Sequence, residues 1–407
     1  MTQNKQNLSR RDFLLTAGTI AAGTMIGGAK ALAGQATEPA KAAVPVKVST
    51  RPFGKTGVQV SCLAAGGMFD IVTNQLVLKQ ALNWGVTYWD TAESYTGGKS
   101  ELGIGHYFEK NPEVRKQVFL VTKSPAPNPE ARTKMLNGSL ERMKTDSIDL
   151  YFLHGVKNPA ELNDDVKAWA AQAKADKKIK FFGFSTHQNM AECLAAAAKL
   201  GWIDGIMLKY DFRLMHQDAM KAAVDACAQA GIGLTAMKTQ GGGPVKVDSE
   251  AELALAGRFI QQGFTDRQAR LKAVWENNLI ASICSQMPNL TILGANVAAA
   301  VDRTKLSARD HELLQRYAQE TCTGYCAGCT SRCEGAISHQ APIGDVMRCL
   351  MYHRDYGDRD LARAVFAALP GTTRRRMAAL DYSAAERICP QGLAIGKLMR
   401  EAAELFA

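Results

Sequence analysis

No stretch of the 407 residues reaches eighteen uninterrupted apolar positions, so nothing in the chain is long and apolar enough to read as a membrane-spanning helix. No Gly-x-Gly-x-x-Gly follows the first strand-like run, which argues against an open, doubly wound sheet that binds a dinucleotide at that turn. Long runs of one charge are missing too. The formal charge is +10, yet the basic residues are scattered except for Arg374-Arg375-Arg376. That is the pattern of a solvated surface, and it argues against a nucleic-acid partner. Hydrophobic residues make up 46% of the chain and charged ones 22%, which leaves a folded polypeptide long enough for one large domain plus an appendix.

The weakly apolar segment Phe13 to Ile26 is broken by Gly and Thr. It follows Ser9-Arg10-Arg11-Asp12 and precedes Ala31-Leu32-Ala33. Charge, short hydrophobic segment and small-x-small cleavage pattern stand in the order of an export signal. With its paired arginines the segment resembles a twin-arginine (Tat) signal peptide. The resemblance implies a signal over residues 1–33, passage of the folded protein through the Tat translocase, and a periplasmic or otherwise extracytoplasmic destination. Residues 34–45, rich in Ala, Pro and polar residues, read as a tether.

From Val46 onward, short β-branched or apolar runs alternate with helical patterns. The runs are Val60–Leu63, Thr87–Trp89, Val118–Thr122, Ile148–Leu153, Ile179–Phe184, Gly205–Leu208, Gly233–Met237 and Ser282–Ser285. Helical spacing between them is clear in Ala219, Ala222, Ala223, Ala226 and Cys227. Eight strand–helix units of this length predict an α/β fold, a (β/α)8 TIM barrel over residues 46–310. A hairpin around Gly54-Lys55-Thr56-Gly57 is expected to lead into the first strand. Residues 304–320 read as one polar helix. Residues 311–407 read as a mainly helical, cysteine-rich extension.

In such barrels chemistry sits at the C-terminal ends of the strands. The second, third and fourth apolar runs stop at Asp90, Lys123 and His154, and Tyr95 follows Asp90 by one loop. These four residue types make an acid–base set. A tyrosine near pKa 10 is expected to be lowered by an adjacent ammonium, an aspartate to hold that ammonium, and a histidine to orient a carbonyl oxygen.

At these residues the sequence resembles the aldo-keto reductase family. The motifs are Gly54-Lys55-Thr56-Gly57-Val58-Gln59-Val60-Ser61, Gly85-Val86-Thr87-Tyr88-Trp89-Asp90-Thr91-Ala92, Tyr95, Ser100-Glu101, Lys123, Asp146 to His154 and Gly183-Phe184-Ser185. The resemblance implies a barrel that binds NAD(P)H across its mouth and reduces a small carbonyl substrate. Tyr95 would be the general acid, Lys123 and Asp90 its tuning pair, and His154 the carbonyl-orienting group. It further implies Tyr210 stacked on nicotinamide, Ser185 on the carboxamide, and Asn296 in the cofactor site. After the eighth strand the chain keeps Asn296 but lacks the acid and the cation that many NADPH-binding members carry, so NAD and NADP are not distinguished.

Cys322, Cys326, Cys329 and Cys333 place four thiols within twelve residues, and Cys389-Pro390 follows later. Four soft thiolates suit an iron–sulfur cluster or a tetrahedral zinc, and an oxidising compartment would also allow disulfides. Some aldo-keto reductases have a ferredoxin-like extension of this kind, with a closing Cys-Pro-x-Gly. The resemblance implies one 4Fe-4S cluster, with ligands drawn from Cys322, Cys326, Cys329, Cys333 and Cys389. Cys62, Cys193, Cys227, Cys284 and Cys349 read as buried apolar residues. Two functions follow. One is an exported carbonyl reductase. The other is an iron–sulfur electron-transfer protein, with its own redox partner, on a barrel that no longer uses free nicotinamide.

Overall fold

The computed structural model describes residues 47–240 and 266–406; the signal peptide and tether expected over residues 1–45 lie outside them. The expected barrel is present. After a hairpin of β1 (Thr50–Pro52) and β2 (Gln59–Ser61) come β3 (Leu63–Gly66), β4 (Tyr88–Asp90), β5 (Phe119–Ser124) and β6 (Ile148–Leu153). They are followed by β7 (Ile179–Thr186), β8 (Gly205–Lys209), β9 (Gly233–Met237) and β10 (Ile280–Gln286). Strands β3 to β10 are parallel neighbours in sequence order, and β10 closes on β3.

The first barrel strand begins at Leu63, not at Val60. Val60 belongs to the hairpin, and its side chain is buried inside the barrel with Phe53, Ala64 and Tyr88. The hairpin plugs the N-terminal end of the barrel. Phe53 fills the space over Gly205 and Gly233, where a Cβ would come within 2.8 and 2.5 Å of its ring. Hairpin and strand are both buried, so the apolar run continues across the turn between them and hides the boundary.

Side chains alternate across the barrel wall as the two-residue period of a strand requires. Tyr88, Val121, Leu150, Phe152 and Met207 fill the interior, whereas Trp89, Leu120, Phe182, Phe184 and Leu208 pack outward against the helices. Plugged below, the barrel is open to chemistry only at the other end.

The extension has its own core, built from residues such as Val346, Cys349, Leu350, Phe366 and Met399. The helix Ala308–Glu320 runs through the expected boundary at residue 310, and its Leu314 and Tyr317 pack with Phe212 and Ala273 of the barrel. Beyond it, Tyr325 and Ala327 join the barrel's outer core. The Tyr325 hydroxyl donates to Asp211 at 2.7 Å, and Lys209 donates to the Cys326 carbonyl at 2.6 Å. These contacts set the helix Ile343–Arg354 beside the barrel mouth.

Candidate active site

Asp90 ends β4 and Lys123 lies near the end of β5, both on the inward parity set by Tyr88 and Val121. Lys123 donates to both Asp90 carboxylate oxygens at 2.6 and 2.7 Å and to the Thr91 carbonyl at 2.7 Å. The pair is almost fully buried. Tyr95 reaches back over it through a short turn that continues into Thr96 (φ 50) and Gly97 (φ 63), both left-handed. Thr96 has a Cβ and is strained there, a mark of a turn held in place by its surroundings. The Lys123 ammonium lies 4.9 Å from the Tyr95 ring centroid. His154, just past β6, faces the same ring edge-on, with centroids 6.1 Å apart. All four residues therefore meet at one end of the barrel.

The electrostatics differ from the expected form in one respect. The Tyr95 hydroxyl is pushed well above the usual phenol range, first by burial and then by the Asp90 carboxylate. Both Asp90 oxygens hold the Lys123 ammonium, so its charge is spent before it reaches the tyrosine. Burial raises the Asp90 pKa, and Lys123 opposes that rise. His154 is lowered to about 3, mainly by burial and then by Lys123, Arg348 and Lys238. At neutral pH the site thus presents a protonated phenol and an uncharged imidazole.

Above these residues lies a cavity of about 490 Å³. Its floor is made of strand ends: Gly66, Asp90, Met207, Met237, Cys284 and Ser285. Gln240, Arg267, Gln268 and Asn296 line a polar end, while Tyr352 and Tyr356 of the extension line it from above.

Residues 67–259 match the model of the aldo/keto reductase family. Among curated proteins the chain is 26% identical over 216 residues to an uncharacterized oxidoreductase of Bacillus subtilis, covering 47% of this chain and 66% of that one. It is 27% identical over 217 residues to an NADP(+) aldo-keto reductase of Schizosaccharomyces pombe, covering 49% and 63%. Against a D-threo-aldose 1-dehydrogenase of a Pseudomonas species it is 25% identical over 284 residues, covering 60% and 81%. Less than two thirds of the length of the first two is therefore spanned. Over residues 67–259 the chain is similar to the aldo/keto reductase family. The same barrel occurs in a solved holo aldo-keto reductase of Bacillus halodurans, with TM-score 0.56 and 19% identity, covering 69% of this chain and 98% of that one.

Within this barrel the expected cofactor residues separate. Asn296 lines the cavity and donates to the Ser285 hydroxyl at 3.0 Å, while its Oδ1 accepts from Gln240 at 3.1 Å. Ser185 is fully buried, and its hydroxyl accepts from the Gly155 amide at 3.0 Å. Tyr210 is a correction. It packs in the outer core with Leu208, its hydroxyl accepts from Asn277 at 2.9 Å, and it does not line the cavity. Met207 and Met237 occupy the apolar floor instead. Cys284 is a second correction, since its thiol lines the cavity 3.5 Å from Asp90 Oδ2. The sought cation also has a counterpart, because the exposed Arg267 reaches the polar end from the helix before β10.

The ten cysteines form no disulfide. Four of them, Cys326, Cys329, Cys333 and Cys389, line one small cavity closed by Ile343, Leu393 and Ile395. Cys322 stands outside it, as does Cys349, which is buried in the extension core. Burial first, and then Cys326 and Cys389, push Cys329 up to about 11. Burial likewise pushes Cys333 up to about 12, with Cys326 the next contributor. Such mutual opposition means that Cys326, Cys329 and Cys333 ionise together only around a cation. Among the described residues no three His, Cys, Asp or Glu side chains converge closely enough for a single metal ion. A ring of thiols around a small apolar-walled cavity has the donor set of an iron–sulfur cluster.

Proposed function

We propose that the protein is an exported oxidoreductase of the aldo-keto reductase type, acting between NAD(P)H and a carbonyl or alcohol substrate. The observation that carries this reading is the buried Lys123–Asp90 pair beneath a protonated Tyr95 that faces a neutral His154. When bound, the nicotinamide supplies the hydride. Gln240, Arg267, Gln268, Ser285 and Asn296 offer donors and a cation along the polar end of the cavity, which fits the ribose and phosphate of such a cofactor. Tyr95 gives its proton to the carbonyl oxygen, and neutral His154 orients that oxygen by a hydrogen bond. Lys123 and Asp90 hold each other in register beneath the phenol.

Titration with NADPH and with NADH, followed by protein fluorescence, tests the cofactor. Saturable quenching by either is expected. Silence with both would leave the electron-transfer reading, in which the barrel is a scaffold for the cluster and a redox partner.

In the same reading Cys326, Cys329, Cys333 and Cys389 hold a 4Fe-4S cluster, which supplies one-electron redox chemistry or a structural crosslink when bound. Protein purified without oxygen should contain about four irons per chain and show a broad visible absorption that dithionite bleaches. Cys326→Ser should lose both iron and colour, whereas Cys322→Ser should keep them. Iron loss from both variants alike, or from neither, would reject this ligand set. The Tat-like signal supports export to the periplasm with cofactors already inserted. Cell fractionation that left the full-length chain in the cytoplasm would remove that part of the reading.

A further inference from the structure

We propose that Lys238, Arg348 and Tyr352 form an anion-binding subsite beside Tyr95, so that the carbonyl substrates of this protein carry a carboxylate. The substrate class rests on the reductase reading above. The subsite itself rests on geometry.

Lys238 directly follows β9. Met237 faces the barrel interior, so simple alternation would turn Lys238 outward. The backbone breaks that alternation at Lys238, with φ of +61. A side chain with a Cβ is strained in that region, and such strain gathers at ligand-binding positions. As a result Lys238 lines the catalytic cavity, and also a smaller cavity of about 60 Å³ shared with Arg348.

Around its ammonium stand aromatic rings and a phenol. Lys238 Nζ donates to the Tyr352 hydroxyl at 3.0 Å and lies 4.6 and 5.7 Å from the ring centroids of Tyr352 and Tyr356. Among the described residues no carboxylate lies within ion-pairing distance of it. Aromatic faces and a phenol hold a cation in place without neutralising it.

Arg348 sits one helical turn before Tyr352 on the same helix face. Among the described residues its one carboxylate partner is Asp345, at 3.1 Å, and Asp345 is also bound by Lys157 at 2.7 Å. One carboxylate thus serves two cations. Asp90, the carboxylate nearest the reacting groups, is committed to Lys123. Of the other acids in the walls, Asp358 caps the helix Arg359–Ala367, and Asp355 lines both cavities.

The field inside the cavity agrees with this charge count. Lys123, Arg348 and Lys238 all act on His154 to keep it unprotonated. Tyr352 is lowered below the usual phenol range despite burial, because Lys238 and Arg348 stand beside it. A planar guanidinium, an ammonium and a phenol O–H offer donors to the several acceptor sites of a carboxylate. A substrate carboxylate there would neutralise two cations that the protein leaves underpaired, while its carbonyl meets Tyr95 and His154.

The test compares para-carboxybenzaldehyde with its methyl ester in the wild-type holoenzyme, Lys238→Met and Lys238→Arg. The ratio of kcat/KM for acid over ester should exceed about tenfold in the wild type. It should fall by about tenfold or more in Lys238→Met, as expected when one partner of a desolvated charge contact is removed. Lys238→Arg should restore most of it. A second arm measures benzoate and benzamide binding by protein fluorescence, without nicotinamide or turnover. Benzoate should bind, and Lys238→Met should abolish that binding. Equal wild-type turnover of acid and ester with no benzoate binding would overturn the subsite and leave the reductase reading standing. Lys238-dependent benzoate binding with neither aldehyde reduced would uphold the subsite and sink the reductase reading. A ratio unmoved by Lys238→Met would overturn the role of that residue.

Discussion

Tyr95→Phe should lower the rate of carbonyl reduction by about 10²- to 10⁴-fold, the span that a positioned general acid contributes. Its stability should stay within about 0.5 kcal/mol of the wild type, because the hydroxyl has no hydrogen-bond partner among the described residues and its loss unpairs nothing. Steady-state reduction of a small aldehyde and urea unfolding of the same preparations check the two halves. A variant that retained its rate would remove Tyr95 from the chemistry, and with it the basis of the proposed function. The pH profile gives a second reading. Burial and Asp90 hold the phenol above its ordinary pKa, so the acid form persists through neutral and mildly alkaline pH, and reduction should lose no proton donor there. Alcohol oxidation, which needs the phenolate as acceptor, should instead climb as pH rises.

Lys123→Met should have the largest effect on stability. Lys123 and Asp90 are together nearly inaccessible to water. Removing one member of such a pair leaves an uncompensated buried charge, which costs about 3–5 kcal/mol. The cost depends on pH with a definite sign. Burial raises the Asp90 pKa in the folded state, and Lys123 is the main influence opposing that rise. An acid whose folded pKa lies above its unfolded value favours folding below the unfolded value, about 3.9. That contribution is lost as pH rises through the folded value. Without Lys123 the folded value rises further, so the deficit relative to the wild type should be small near pH 4 and widen towards pH 7. Urea unfolding at several pH values measures it. A deficit that did not change with pH would show that Asp90 is not the group left unpaired. Lys123→Met combined with Asp90→Leu should recover much of the stability and none of the activity.

Much of this was legible in the sequence because buried parallel strands are near-continuous apolar runs, and an ionisable residue at the end of such a run stands out. Asp90, Lys123 and His154 were visible for that reason. Tyr210 failed for a related one: position along a strand can be read closely, but a one-residue shift moves a side chain from the interior face to the outer one. Met207 faces inward, and Tyr210, three residues on, packs outward. Cys284 followed an apolar pattern that does not reveal its neighbour Asp90, which is distant in sequence. Arg348 and Tyr352 were beyond reach altogether, since only the docking of the extension brings their helix over strands placed far earlier in the chain. Lys238 was hidden by its backbone, because a left-handed residue cannot be inferred from a strand pattern that it interrupts.

The catalytic cavity has a floor built by one hydrophobic core and part of its upper wall built by another. Tyr352 and Tyr356 belong to or pack against the core of the extension, and Asp90 and Tyr95 stand on the barrel. Two cores therefore have to be in place for one complete site to exist, and loss of the extension's core would remove the wall that carries Tyr352 and Tyr356.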